Sequence, residues 1–154
     1  MNIQFLTQDK FDALGIERTE LKKEKIPALA RRIDEARQMG DLSENAEYHA
    51  AREDMGWAKG RIQKIDAILQ NAEIISTNDK NSDGMIEIGS TITVEVNKKE
   101  RTYTIVGAQE ADPFEGKISN ESPLGKSFIG KKKNDKVEVK VPAGIQTYTI
   151  KAIK

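Results

Sequence analysis

No cysteine occurs in the 154 residues, which excludes a disulfide scaffold and a thiolate metal site and fits a reducing compartment. A single histidine, His49, does not make a zinc site of the usual type. No apolar run approaches the roughly 20 residues that cross a bilayer. The N-terminal stretch MNIQFLTQDKF has neither the basic start nor the apolar centre of a signal peptide, so a cytoplasmic protein is expected. Neither sign of charge is in excess: Lys plus Arg and Asp plus Glu number 25 each. No bulk positive field therefore draws the chain onto nucleic acid, and any such contact must be local. What is present is a 37% hydrophobic, 32% charged chain with room for one medium domain or two small ones.

The hydrophobic period changes along the chain. Small or apolar residues at Tyr48, Ala51, Met55, Ala58, Ile62, Ile65, Leu69 and Ala72 step alternately by three and four, the spacing of a coiled-coil seam. Ile26, Leu29, Ile33 and Ala36 repeat it upstream, as does a related run at Phe11, Leu14, Arg18 and Leu21 that is about one residue out of register. Pro27 falls where the two runs meet, and a helical proline removes a backbone bond and tends to bend the helix. Thr7 is placed to cap the first helix, with Asp9 in its first turn, and Gly40 to stop it. A connection this short makes the two helices antiparallel. Near Ser76 the chain turns polar, and beyond it the period is two: Thr91 to Val96 and Arg101 to Val106 read as one hairpin, Lys136 to Val141 and Gln146 to Ile150 as another. Lys117 to Ser119 reads as a short strand and Pro123 to Ile129 as a short helix capped by Ser122. The expectation is an α+β chain: an antiparallel coiled-coil hairpin over 1–75, a linker over 76–84, and a small antiparallel sheet domain with one short helix over 85–154.

The turn between the long helices is where chemistry is expected. Asp41 and Glu44 are three apart, neighbours on one helical face and close enough to share a hard cation. Two carboxylates on an open turn do not fill the near-octahedral oxygen shell that magnesium demands, so the pair would act only when another molecule supplies the remaining ligands. The competing reading is a cap, with Asp41 accepting from the first amides of the second helix, Glu44 reaching back, and Ser43 as a rival. Arg37 stands a turn before the tip and Arg52 about two turns after it; guanidinium groups grip phosphates in bidentate fashion. Their alternative is ordinary pairing with Glu47, Glu53 or Asp34. Tyr48 reads as seam packing, Trp57 as hairpin packing and His49 as a surface residue.

The run from Glu35 to Glu53, EARQMGDLSENAEYHAARE, resembles the signature of the bacterial Gre transcript cleavage factors, and the likeness continues through Gly60-Arg61-Ile62. Ser122-Pro123-Leu124-Gly125 and Ile129-Gly130-Lys131 resemble that family's C-terminal motif, so the resemblance spans essentially the whole chain. It is closer to the A-type than to the B-type, whose hairpin carries a broader basic patch, and it departs at Ser43, where lysine is common. The resemblance implies an FKBP-like C-terminal domain that docks on the rim of bacterial RNA polymerase, helped by Ser122, Pro123, Leu124 and Gly125. It also implies a hairpin that enters the secondary channel of a backtracked complex. Asp41 and Glu44 would there complete the coordination of the second magnesium of the polymerase, shared and not held by the chain alone, while Arg37 and Arg52 contact the backtracked RNA 3′ end. The chain would stimulate the polymerase's own cleavage without being an enzyme, as a monomer and away from any membrane.

Three other classes make different predictions. A regulator that only obstructs the channel has no need of Asp41 and Glu44. A prolyl isomerase needs an aromatic-lined pocket, and after Ser76 the aromatics are only Tyr103, Phe114, Phe128 and Tyr148. A coiled-coil adaptor needs the tip for capping alone.

Overall fold

The computed structural model describes residues 2–76 and 83–154, and its chain divides into two compact units, Asp9–Asn71 and Met1–Gln8 with Ala72–Lys154. The linker expected at 76–84 lies largely outside the described residues.

The first unit is helical. α1 (Gln8–Glu20) runs through one π-helical turn, Leu21–Lys25, into α2 (Ile26–Gln38); a short 3-10 turn, Leu42–Glu44, leads to α3 (Ala46–Gln70). The buried residues of the ascending arm are Leu14, Leu21, Leu29 and Ala36. They recur every seven positions except between Leu21 and Leu29, where the step is eight. The extra residue sits in the π turn, closed by the Ile26 N–H donating to the Leu21 carbonyl. A π turn inserts one residue into a helix, and Pro27, which has no N–H to give, follows at once. The one-residue slip in the sequence pattern is therefore absorbed by a wider turn. On α3 the seam is Tyr48, Ala51, Ala58, Ile65 and Ile68, all buried; at its end Ile68 and not Leu69 turns fully inward, just before the helix gives way to a strand. Alanines at the centre of the seam let the helices approach closely. Bidentate bonds from Arg61 to Glu17 (2.6 and 2.8 Å) and an ion pair of Arg18 with Asp66 (2.7 Å) tie α1 to α3. The Arg61 guanidinium holds the Glu17 carboxyl below its ordinary value.

Gly60 lies on the exposed side of α3, and nothing stands within 4 Å of where its Cβ would be. Gly60→Ala is expected to stabilise the hairpin by about 0.5–1 kcal/mol through lost chain entropy. A thermal melt followed at 222 nm checks this, and a lower midpoint would mean that the open face is covered in solution.

The second unit is a sheet domain, with β1 (Gln4–Leu6), β2 (Ala72–Ile74), β3 (Thr91–Val96), β4 (Lys99–Val106), β5 (Lys117–Ser119), α4 (Pro123–Phe128), β6 (Lys136–Val141) and β7 (Gly144–Ile153). β1 and β2, which precede α1 and follow α3 in sequence, pair parallel to each other. The Thr7 N–H and hydroxyl donate to the Glu110 carboxylate at 2.8 and 2.7 Å, so the N-terminal strand belongs to this unit. The main sheet has the order β5-β4-β3-β7-β6. It is antiparallel except at β5, which pairs parallel to β4. The expected all-antiparallel sheet is corrected there: residues 107–116 carry two one-turn 3-10 helices, a connection long enough for a parallel return. The β3–β4 turn takes positive φ at Asn97 and Lys98 (52° and 63°), the primed hairpin geometry that asparagine tolerates. Burial alternates strictly along β3 and β6. The inward set, Ile92, Val94, Ile105, Val137, Val139 and Ile150, is sealed by Phe128 of α4, whose ring meets those of Tyr103 and Tyr148 at 6.2 and 5.5 Å.

Candidate functional site at the hairpin tip

The tip is built by one residue the sequence reading passed over. Asn45 caps α3, its Oδ1 accepting from the Tyr48 N–H at 3.0 Å, while its Nδ2 donates to the Ala36 carbonyl near the end of α2. One side chain thus satisfies an orphan donor of one helix and a terminal acceptor of the other. Asparagine is among the strongest N-caps, but Asp41 and Ser43 compete for the role in the sequence; only the position of α2 decides among them. Asn45→Ala is expected to cost the hairpin about 1–2 kcal/mol, seen as a lower melting midpoint, and an unchanged midpoint would count against the bridge.

Because Asn45 does the capping, the acidic pair is released from it. Asp41 accepts only from the Ser43 backbone N–H (3.2 Å) and hydroxyl (3.1 Å), closing the 3-10 turn. Among the described residues no hydrogen bond or ion pair engages the Glu44 carboxylate. Asp41 and Glu44 line one open depression with Met39, Gly40, Asn45 and Ala46. Among the described residues no group of three or more His, Asp or Glu side chains is arranged to hold a metal ion, so a cation at Asp41 and Glu44 needs further donors from elsewhere. The exposed side chains of Met39 and Leu42 flank the pair.

The structure also brings Arg37 and Arg52 together. Their guanidinium carbons stand 5.8 and 5.7 Å from the centroid of the Tyr48 ring, and Arg52 Nη1 approaches the Tyr48 hydroxyl at 3.5 Å. The pairing expected with Glu47, Glu53 or Asp34 is absent; neither arginine has a carboxylate partner among the described residues. Glu47 is instead held by Arg32, which also takes Asp54, each at 2.9 Å. Tyr48 is buried as expected. Trp57 is not: 63% of it is exposed, so the expectation of hairpin packing is corrected. Trp57 falls one position short of the fully buried Ala58, off the seam.

In the C-terminal unit, Ser122 caps α4 by accepting from the Gly125 N–H (3.1 Å) and donates to the Ser119 carbonyl (2.7 Å). Pro123 is the first helical residue and exposed, Leu124 packs on the core, and Gly125 is buried. Three of these four residues thus have internal work, and Pro123 has the open surface.

These two halves, a helical hairpin with a doubly acidic tip and a sheet domain with a capped helix, match the two domain models of one class of transcription protein. The model described as transcription elongation factor, N-terminal, matches residues 4–74, and that described as transcription elongation factor, GreA/GreB, C-term, matches residues 81–154. The chain belongs to the GreA/GreB family of transcription elongation factors. Transcription elongation factor GreA of Thioalkalivibrio sulfidiphilus is 47% identical over 151 residues, covering 97% of this chain and 96% of the relative. The protein of the same name from Paracoccus denitrificans is 44% identical over the same shares. The crystal structure of GreA factor homolog 1 (Gfh1) of Thermus thermophilus aligns with a TM-score of 0.44 at 22% identity, covering 99% of each chain.

Proposed function

We propose that the hairpin enters the secondary channel of a bacterial RNA polymerase whose RNA 3′ end has slipped backward, and there stimulates the enzyme's own hydrolysis of that RNA. The observation that carries this reading is the tip itself: Asp41 and Glu44 line one open depression, neither caps α3, and nearby on the hairpin are two guanidiniums without a carboxylate partner among the described residues. The donor chemistry fits magnesium, a hard cation that prefers carboxylate oxygen and usually binds few protein ligands. Asp41 and Glu44 are this chain's ligands to an ion shared with the polymerase active centre. When bound, that ion activates the attacking water and offsets charge on the phosphate. The chain contributes part of a ligand set and is no enzyme by itself. Arg37 and Arg52 take the backtracked RNA through its phosphates. Met39 and Leu42 give the tip apolar surface against a protein channel, and Ser122 to Gly125, with Pro123 outermost, helps the C-terminal domain grip the polymerase rim. A new 3′ end in register lets arrested elongation resume.

The test is a stalled, backtracked bacterial elongation complex with end-labelled RNA in magnesium. Shortening of the RNA by the wild-type chain, and none by the Asp41→Asn, Glu44→Gln double variant, is expected. No shortening by either protein, with polymerase binding demonstrated, would favour a regulator that merely obstructs the channel. The double variant Arg37→Ala, Arg52→Ala is expected to weaken cleavage at saturating factor by roughly tenfold or more, from two lost charge-assisted contacts, while polymerase affinity changes little. Equal loss of both would assign the arginines to docking.

A further inference from the structure

Arg37 and Arg52 carry like charges, come from different helices, and still converge on one ring. Two features of the hairpin make that possible. Tyr48 is buried and aromatic, and its backbone is fixed because its N–H is the donor to the Asn45 cap. Its ring and hydroxyl attract cations, with guanidinium carbons at 5.8 and 5.7 Å from the ring centroid, inside the range of a cation–π contact, and Arg52 Nη1 at 3.5 Å from the hydroxyl. The two guanidiniums, Arg37 foremost, in turn hold the Tyr48 hydroxyl below its usual value. The second feature is Arg32, which occupies Glu47 and Asp54, carboxylates close in sequence to Tyr48 and Arg52. An aromatic ring orders the pair without neutralising it, as a carboxylate would. What results is two guanidiniums gathered at one ring without a carboxylate partner among the described residues, an arrangement suited to a phosphodiester.

We propose that Tyr48 is a positioning residue that gathers Arg37 and Arg52 at one ring as an anion-receiving pair. This role rests on the reading of the two arginines as RNA contacts. Tyr48 touches neither the reacting atoms nor the RNA; it acts through the guanidiniums. Phenylalanine keeps the π face and the seam packing, whereas leucine keeps apolar volume and removes the face.

The experiment uses the full-length protein and a backtracked bacterial elongation complex, comparing Tyr48→Leu, Tyr48→Phe, the Arg37→Ala, Arg52→Ala double variant and the triple variant with Tyr48→Leu. Tyr48→Leu is expected to slow cleavage at saturating factor about tenfold, with the half-saturating factor concentration unchanged, and Tyr48→Phe to restore most of the rate. The triple variant should be no slower than the double, because the residue has nothing left to position. A triple variant slower than the double by that same tenfold overturns the proposal, as does a Tyr48→Leu protein that cleaves like wild type beside a double variant that does not. A double variant that cleaves like wild type overturns the reading on which the role rests, and is recognisable as that different result. Should Tyr48→Leu fail to fold, the wild-type protein still decides. The Arg37 and Arg52 Nε–H resonances are expected to show aromatic ring-current shifts, and two resonances at ordinary arginine positions would overturn the placement.

Discussion

Asp41→Asn and Glu44→Gln, made singly, are each expected to abolish stimulated RNA cleavage while leaving the hairpin and its polymerase binding nearly intact. The structure makes these unusually clean substitutions. Asn at position 41 still offers an oxygen to the Ser43 N–H and hydroxyl, the groups Asp41 holds among the described residues. Among those residues Glu44 has no bond to lose. Since Asn45 caps α3, neither change should shift the melting midpoint by more than the few tenths of a kcal/mol typical of surface positions. On the proposed reading, what both changes remove is negative charge on the oxygens offered to a shared magnesium. Interactions realised mainly in the transition state lower the rate when removed without weakening docking, and losing one hard ligand from a two-metal site should cost at least about a hundredfold. The measurement pairs end-labelled RNA cleavage with a direct polymerase-binding assay on the same preparations. Parallel loss of binding and cleavage would remove the ligand role and return the pair to structure.

How far this arrangement could be read from the sequence depended on the range of the interactions involved. The coiled-coil seam was visible because Leu14, Leu21, Leu29 and Ala36 obey one helical period on each side of a single slip, and Pro27 marked where the slip would fall. The strands β3 and β6 were visible because they alternate without error. β1 was not: three residues are too few to establish a period, and their pairing with β2 spans most of the first half of the chain. The parallel pairing of β5 was hidden for a related reason, since strand direction is set by the path of 107–116 and not by the strand's own residues. At the tip, the acidic pair and the two arginines could be picked out by residue type and spacing, with the family resemblance supplying their roles. Their supports could not. Asn45 reaches across to Ala36, and Arg32 reaches Glu47 and Asp54 from the opposite helix; which side chains meet across the two helices is a property of the packed pair. The same holds for Trp57, whose place off the seam follows from the neighbouring Ala58 being on it.

Gly125→Ala is expected to be a severely damaging small substitution in the sheet domain, and it bears on how the proposed docking segment should be tested. A Cβ on Gly125 would stand 2.0 Å from the Ser119 carbonyl oxygen and 2.9 Å from its carbon, far inside contact distance. That carbonyl cannot swing aside cheaply, because it accepts from both the Ser122 N–H at 3.1 Å and the Ser122 hydroxyl at 2.7 Å. Relief requires α4 to lift from β5, and α4 carries Leu124 and the fully buried Phe128 into the core. Alanine in a helix recovers up to about 1 kcal/mol relative to glycine, but overpacking against backbone costs about 1–3 kcal/mol and occasionally more. With the cap strained as well, the net expectation is a loss of roughly 3 kcal/mol, read as a fall in the denaturant midpoint of the sheet domain followed by near-ultraviolet circular dichroism. A midpoint equal to wild type would mean that the helix approaches β5 less closely in solution. The consequence for function is that reduced polymerase binding by Gly125→Ala, or by removal of the Ser122 cap, would report folding before it reported contact. Pro123 has neither entanglement: it sits exposed at the first helical position, where its missing N–H costs nothing. Pro123→Ala is the substitution that can separate docking from folding, because weaker polymerase binding at an unchanged midpoint would assign the contact to the surface of this segment.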